Sequence, residues 1–382
     1  MTLTVEWLED PQRWSELRDP WDLMAERSAW PTIYATWDFL DCCRLHFAPR
    51  RSRLAIAVVR EGRQAVGFAP MLITQRQRFG LPMRQLGLLA SWEADRAPLV
   101  VTAGRESECI EALLAAIAER ERDWDYLQLN ELAPEAPLVA ALRGWATAAR
   151  GFRLVESHPS PSPFINLETD VDGWLASLGA STRKSFRRYQ RQLEALGRCE
   201  LEMCDAPETI GPALERYLEI EDRSWKRGAG QGVAKDQRNR AFYRDALPRL
   251  AARRRGAVAL LTVDGKPIAG NIELWLGRVG YCPQTTFDPE FARYSPGNVL
   301  QVMTLRWHHA RGIKEYGLFG RFLENKRRFT QDFRANLNLR VLQMRSPRHW
   351  ILFTPGLLRR EQARPKPVVA PASGATEENG EA

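Results

Sequence analysis

Residues 285–320, TTFDPEFARYSPGNVLQVMTLRWHHARGIKEYGLFG, carry the groups best suited to holding an anion. Asp288-Pro289-Glu290 forms a turn, Arg293 follows, and Ser295-Pro296-Gly297-Asn298-Val299 opens a stretch with helical spacing. Val299, Val302, Met303, Trp307 and Ala310 recur on one helical face and predict its buried stripe. Gly312 suits the residue just past the helix end, and Lys314–Phe319 reads as a returning strand. Strand, glycine turn, helix and strand make a βαβ unit. The start of such a helix offers unpaired N–H groups and about half a positive charge to a phosphate or pyrophosphate. Arg293, Ser295, Gly297, Asn298 and Val299 are therefore candidate ligand-binding residues; the plainer alternative is a crossover whose glycine only turns the chain.

Three other groups could serve the same site. Residues 181–198 predict a helix capped by Ser181 or Thr182 and closed by Gly197, with Phe186, Tyr189, Leu193 and Leu196 facing inward. Its other face carries Arg183, Lys184, Arg187, Arg188 and Arg191 against Glu194 alone. Arg183, Arg187 and Arg191 could line a groove for an anionic substrate or meet RNA; a solvated basic face is the alternative. Residues 207–226 predict the next helix, on which Glu221 and Trp225 share a face. There Glu221 could take a proton from an amine while Trp225 packs against substrate, or the pair could be a surface carboxylate beside a core tryptophan. Residues 227–236 are glycine-rich and predict a mobile loop at the cleft. Lys326, in GRFLENKRRF, is a cation placed for a phosphate or substrate.

The elements that must position these groups fall into two similar halves. RLAIAVVREGRQAVGFAPMLIT (residues 53–74) and GAVALLTVDGKPIAGNIELWLG (residues 256–277) both predict a β-hairpin, with Gly62 and Gly67 matching Gly265 and Gly270 at one offset. Residues 104–130 then give helix and strand, as residues 297–319 do. The repetition predicts mixed-sheet α/β domains in tandem, meeting near residues 150–170. Residues 1–165 form the first, 166–345 the second, and 346–382 an extension with a disordered tail rich in Ala, Pro, Gly and Glu. Acidic residues in SWEADR (91–96) stand where a phosphate would sit in the first half, so only the second keeps a binding turn.

The chain has 382 residues, a net charge of +8 and 44% hydrophobic residues, which fits a globular protein able to take an anionic ligand. No secretory leader and no long apolar run is evident, and a cytoplasmic location is expected. The six cysteines form no CxxC pair, so buried thiols are expected and no metal.

Arg293-x-x-x-Gly297-Asn298 resembles a degenerate acyl-CoA loop of the GNAT N-acetyltransferase superfamily. With FDPEFARYSPGNVL, GLFGRFLENKRRF and Glu221-x-x-x-Trp225-Lys226, the chain resembles the FemAB-related, CelD-like branch associated with cellulose and exopolysaccharide synthesis. The resemblance implies two GNAT-like domains, the first degenerate. It implies acetyl-CoA or another acyl-CoA as co-substrate and direct transfer to an amine, such as an amino sugar or polysaccharide precursor. Arg293 and residues 295–299 would hold the pyrophosphate, Glu221, Asp222 or Asp288 would remove the proton, and Lys326 would stand near phosphate or substrate. Two departures stand out: Pro296 removes an N–H, and Asn325 occupies the place of a tyrosine. Two further readings follow, a FemAB-like transferase using aminoacyl-tRNA and a non-catalytic scaffold in a polysaccharide-synthesis complex.

Overall fold

Alternating apolar residues bounded by turn residues produce the strands, and the two hairpins form where expected. In this computed structural model the described residues are 3–78, 80–89, 99–148, 151–158, 161–224, 226, 230, 232–320 and 322–345. The expectations for Trp225, for SWEADR, for residues 227–229 and 231 of the glycine-rich loop and for residues 346–382 lie outside the described residues.

The first half supplies β1 (Leu3–Leu8), β2 (Ser52–Glu61), β3 (Gln64–Arg78), β4 (Leu81–Leu88), β5 (Val100–Val101), β6 (Tyr126–Leu132), β7 (Phe152–Ser157) and β8 (Ser162–Asn166). The second supplies β9 (Cys199–Cys204), β10 (Gly256–Val263), β11 (Lys266–Leu276), β12 (Val279–Phe287), β13 (Glu315–Gly317), β14 (Phe333–Arg334) and β15 (Leu337–Gln343). In each half four antiparallel strands are followed by a helix and a strand that returns parallel to the fourth: β1-β2-β3-β4-β6 in one sheet, β9-β10-β11-β12-β13 in the other. The hairpins 53–74 and 256–277 thus occupy equivalent places. Asp264 and Gly265 both take positive φ (48° and 80°), as a two-residue hairpin turn requires. The architecture is mixed α/β, with two mixed sheets built in the same strand order.

At the seam the halves exchange strands. β8 pairs with β13 in the second sheet, and β15, from the far end, runs between β6 and β7 in the first. Each sheet is completed by the other half. Neither strand has a local partner, and for that reason the exchange has no periodic signature in the sequence.

One face of the second sheet is covered jointly. Ile33, Tyr34 and Phe39 from the first half pack with Leu214, Tyr217, Phe242 and Tyr281 from the second in one buried cluster. Burying a residue of this size is worth roughly 1.5–3 kcal/mol. Around this apolar contact lies a charged border. Arg255 meets Asp22 at 2.6 Å and Glu26 at 2.5 Å, Arg253 meets Asp19 at 2.8 Å, and Arg249 meets Asp41 at 3.0 Å.

The opposite face carries the helix Pro296–His309 and the basic helix Ala180–Glu194. The stripe of the first is rotated from expectation. Val299, Leu300, Thr304, Leu305 and His308 are buried, Val302, Met303 and Trp307 are half-buried, and Ala310 is exposed. The helix is wedged between the sheet and the basic helix, so its buried arc follows two neighbours rather than one. The basic helix starts one residue early, with Gly179 at the N-cap, leaving Ser181 and Thr182 inside it. Phe186 and Leu193 are buried as expected, whereas Leu196 is exposed.

Candidate active site

The site is built where β12 and β13 part. They pair in parallel only at Val279–Tyr281 with Glu315–Gly317, after which β12 continues to Phe287 and β13 ends. Glycines make the fork possible. A Cβ at Gly317 would lie 2.9 Å from the Tyr281 ring, and one at Gly280 would lie 3.1 Å from Tyr316. Just beyond, the register of β11 and β12 shifts, so Cys282 and Pro283 bulge opposite Glu273.

The glycine turn lies at the end of β12, after a 3₁₀ segment Pro289–Tyr294. Its strain sits at Ser295, which has φ 48° and ψ 52°, whereas Gly297 has no positive φ. Ser295 makes the reversal and Pro296 starts the helix, so the turn does not call for left-handed backbone at Gly297. A Cβ at Gly297 would meet only the Phe287 ring, at 3.8 Å. The N–H groups of Asn298 and Val299 bond the Ser295 carbonyl at 3.0 and 3.4 Å, and Pro296 has none. Gly297 supplies the one N–H of the turn left for an anion among the described residues. The Arg293 guanidinium lies over the Tyr294 ring and bonds its hydroxyl, beside the turn.

The basic helix borders this turn through Tyr189. A hydrogen bond with Ser295, with Arg188 and Arg328 close by, holds the Tyr189 phenol below its ordinary range despite partial burial. Arg183 turns to the preceding helix, where its guanidinium bonds the Ala176 carbonyl at 2.8 Å and that of Leu178. Arg191 donates to the Arg187 carbonyl at 3.2 Å. Arg187 and Arg191 thus lie on the helix that contacts the turn, and Arg183 is spent on capping.

Glu221 is no surface carboxylate, since it is fully buried at the end of the helix Pro207–Arg223. Its oxygens accept from the Tyr217 hydroxyl at 3.0 Å and from the Ala234 N–H at 2.6 Å, and Lys226 Nζ lies 3.5 Å away. Gly232, at φ 84°, passes so close that a Cβ would stand 2.4 Å from the carboxylate. Glu221 thus ties residues 232–234 down, and Lys226 reaches from it to Gln284 Oε1, 3.5 Å away on β12. Asp222 pairs with Arg240 at 2.6 Å. Asp288 caps the 3₁₀ segment through the Glu290 N–H at 3.1 Å and pairs with Arg223 at 3.2 Å. Lys326, in the short helix Glu324–Arg327, donates to the Phe319 carbonyl at the end of the fork.

A polar cluster unanticipated from the sequence lies beneath the fork. Glu273 on β11 is fully buried and accepts from the Tyr316 hydroxyl at 2.6 Å, from Asn271 Nδ2 at 3.0 Å and from His308 Nε2 at 3.0 Å. Burial, with Cys282 and Glu273 nearby, pushes the Tyr316 phenol well above its ordinary range. Burial likewise raises the Cys282 thiol, which Glu273 reinforces and Tyr316, Lys226 and Lys326 oppose. Part of the signal was present, since a glutamate stands inside NIELWL, an otherwise mostly apolar strand, whereas His308 lies off the stripe expected for the following helix.

In the first half, the equivalent helix start is self-occupied. The Glu106 carboxylate accepts the Gly104 N–H at 3.1 Å, and Arg105 is held by Glu61 at 2.9 Å. A carboxylate of the chain itself stands at the helix start where an anion would approach.

With this geometry, residues 180–327 match the acetyltransferase (GNAT) domain family. The crystal structure of FemX is similar over 87% of this chain and 96% of its own, at 11% identity and a TM-score of 0.61. The C-terminal domain of a putative lysylphosphatidylglycerol synthetase from Agrobacterium fabrum is similar over 90% of this chain and 97% of its own, at 12% identity and a TM-score of 0.54. These likenesses concern the fold. No curated protein sequence matches. Among the described residues no helix is long and apolar enough to cross a membrane, and no cluster of His, Cys, Asp or Glu is grouped to hold a metal.

Proposed function

We propose that the protein is an N-acyltransferase that takes acyl groups from acetyl-CoA or another acyl-CoA and passes them directly to an amine. The fork between β12 and β13, ending at a glycine-bearing helix start, is the observation that carries this reading. The donor's acyl arm lies along β12 beyond the three residues paired with β13, where strand N–H groups on that edge polarise its carbonyl. Its phosphates lie at the Gly297 N–H, with Arg293, Arg187 and Arg191 adding positive charge. Lys226 and Lys326 bring cations to the fork. The amine attacks as the free base, because an ammonium has no lone pair. An amino sugar or other polysaccharide precursor is the acceptor class that the resemblance to CelD-like proteins favours, and the reaction belongs in the cytoplasm.

One observation favours a second donor. The turn has a single available N–H, poor for a pyrophosphate, while the adjoining helix is dense in arginine. An aminoacyl-tRNA fits such a surface, and it is the donor that the resemblance to FemAB-like transferases implies. Calorimetric titration with acetyl-CoA tests the first reading. Saturable binding that Gly297→Val weakens at least tenfold supports it, and no binding to the parent protein overturns it.

A further inference from the structure

The buried side chains beneath the fork have no part in the scheme above, and their composition is costly for a protein interior. Glu273, Asn271, His308, Thr304 and Tyr316 are fully buried, and Cys282 is 6% exposed. The Glu273 carboxylate is met by three donors, none of them a lysine or arginine. Among the described residues Asn271 Oδ1 and His308 Nδ1 have no partner, so two acceptors stand idle beside one carboxylate, and Gln301 lies against the Tyr316 phenol. Apolar packing could fill this space at less cost, since an unpaired buried polar group is expensive and native interiors hold few.

Its placement gives these groups a use. Tyr316 is on the short arm of the fork and Cys282 on the long one, at the bulge. The two residues meet where the strands part, and the Tyr316 hydroxyl reaches back to Glu273 at 2.6 Å. Meanwhile the carboxylates first suited to removing a proton are engaged elsewhere: Glu221 holds residues 232–234, Asp222 pairs with Arg240, and Asp288 caps and pairs with Arg223.

We propose that Tyr316 and Glu273 form the proton relay of the acyl-transfer step, with His308 holding Glu273 in place. The inference rests on the acyltransferase reading above. The acceptor ammonium gives a proton to the Tyr316 oxygen while the Tyr316 proton passes to Glu273 Oε2. The freed lone pair forms the C–N bond, and the donor's C–S bond breaks with its electron pair on sulfur. The second amine proton ends on that sulfur, giving the free thiol. Glu273 then returns its proton to solvent by the same path. A phenol kept neutral by burial still has its proton to pass on. The groups around the relay are Glu273 from β11, Cys282 from β12, Tyr316 from β13 and His308 from the helix above. Lys226 and Lys326 act on it from the fork.

The test is the pH dependence of thiol release from acetyl-CoA with glucosamine as acceptor, from pH 6 to 9, in the parent, Tyr316→Phe and Glu273→Gln. The relay predicts a kcat loss of about 100-fold at pH 6–7 in both variants. That loss should shrink toward the upper end of the range, where solution supplies the free amine, while the KM for acetyl-CoA stays within about threefold. A purely structural role predicts a deficit independent of pH, and that result, or parent-like rates in both variants, overturns the relay. Tyr316→Phe removes a single oxygen and carries the test alone if Glu273→Gln does not fold. The acyl-CoA reading fails separately: a parent protein with no thiol release at any pH overturns it, and the relay with it.

Discussion

Replacing Glu221 by alanine distinguishes a tether from a base. The change removes the acceptor of the Tyr217 hydroxyl and of the Ala234 N–H, and the carboxylate beside Lys226. Breaking a buried charge pair by deleting one partner costs about 3–5 kcal/mol, and each buried hydrogen-bonding group left short costs about 1–3. These terms overlap, since all three contacts share one carboxylate, so the net loss should be about 3–5 kcal/mol. For a chain of this size each kcal/mol lowers the melting temperature by about 2 °C, giving a drop of roughly 6–10 °C. Glu221→Gln keeps the side chain's shape and part of its bonding, and should lose about half as much. Calorimetric unfolding of the three proteins is the assay, with activity measured well below every transition. If Glu221→Gln melts within 1 °C of the parent yet loses 100-fold in kcat, the tether is wrong and Glu221 is the base.

Gly297→Val should change stability by less than about 1 kcal/mol while raising the donor KM tenfold, because its Cβ would meet only Phe287 at 3.8 Å; thermal melts and initial rates check both. Gly270→Ala should cost about 1–3 kcal/mol, since its Cβ would lie 2.7 Å from the Tyr217 ring, whereas the equivalent Gly67→Ala meets ordinary contacts at 3.5 Å and should be tolerated. Arg255→Ala should cost about 3–5 kcal/mol by stripping the guanidinium from Asp22, and the loss should appear in a single unfolding transition because the halves share strands. Acid adds a smaller effect. The Arg143 hydrogen bond holds the Glu156 carboxyl below its usual range, so their pair stabilises above the unfolded value near 4.5 and fades as pH falls through the folded value. Arg143 is half exposed and Glu156 partly so, and solvent screens their pair, so Arg143→Ala should lower stability only slightly at pH 7 and not at all at pH 3, measured by urea unfolding.

Much of the frame was visible in the sequence because it depends on local pattern. Hairpins 53–74 and 256–277, the glycine turn and the basic helix each carry their own periodicity and punctuation, and each forms close to its expected bounds. What was invisible depends on partners distant in the chain. β8 and β15 look like ordinary strands, and nothing within them records that they complete the opposite sheet. Glu221 showed its spacing from Trp225, but its burial depends on Gly232 and Ala234 folding over it. Likewise Glu273, His308 and Tyr316 are separated by long stretches of sequence, and only the fork brings them together. The left-handed residue of the turn was not legible either, because glycine is the usual choice and here Ser295 adopts that backbone beside Tyr189.

Transfer of an acyl group from acyl-CoA to an amine at the fork between β12 and β13 can be read from product alone. The most direct measurement supplies the purified protein with radiolabelled acetyl-CoA or with charged tRNA, each with the same panel of amino sugars and amines, and counts label in amide product. Saturable amide formation from acetyl-CoA is expected, reduced by Gly297→Val at subsaturating donor. Amide formed from charged tRNA alone, or from neither donor, would contradict it.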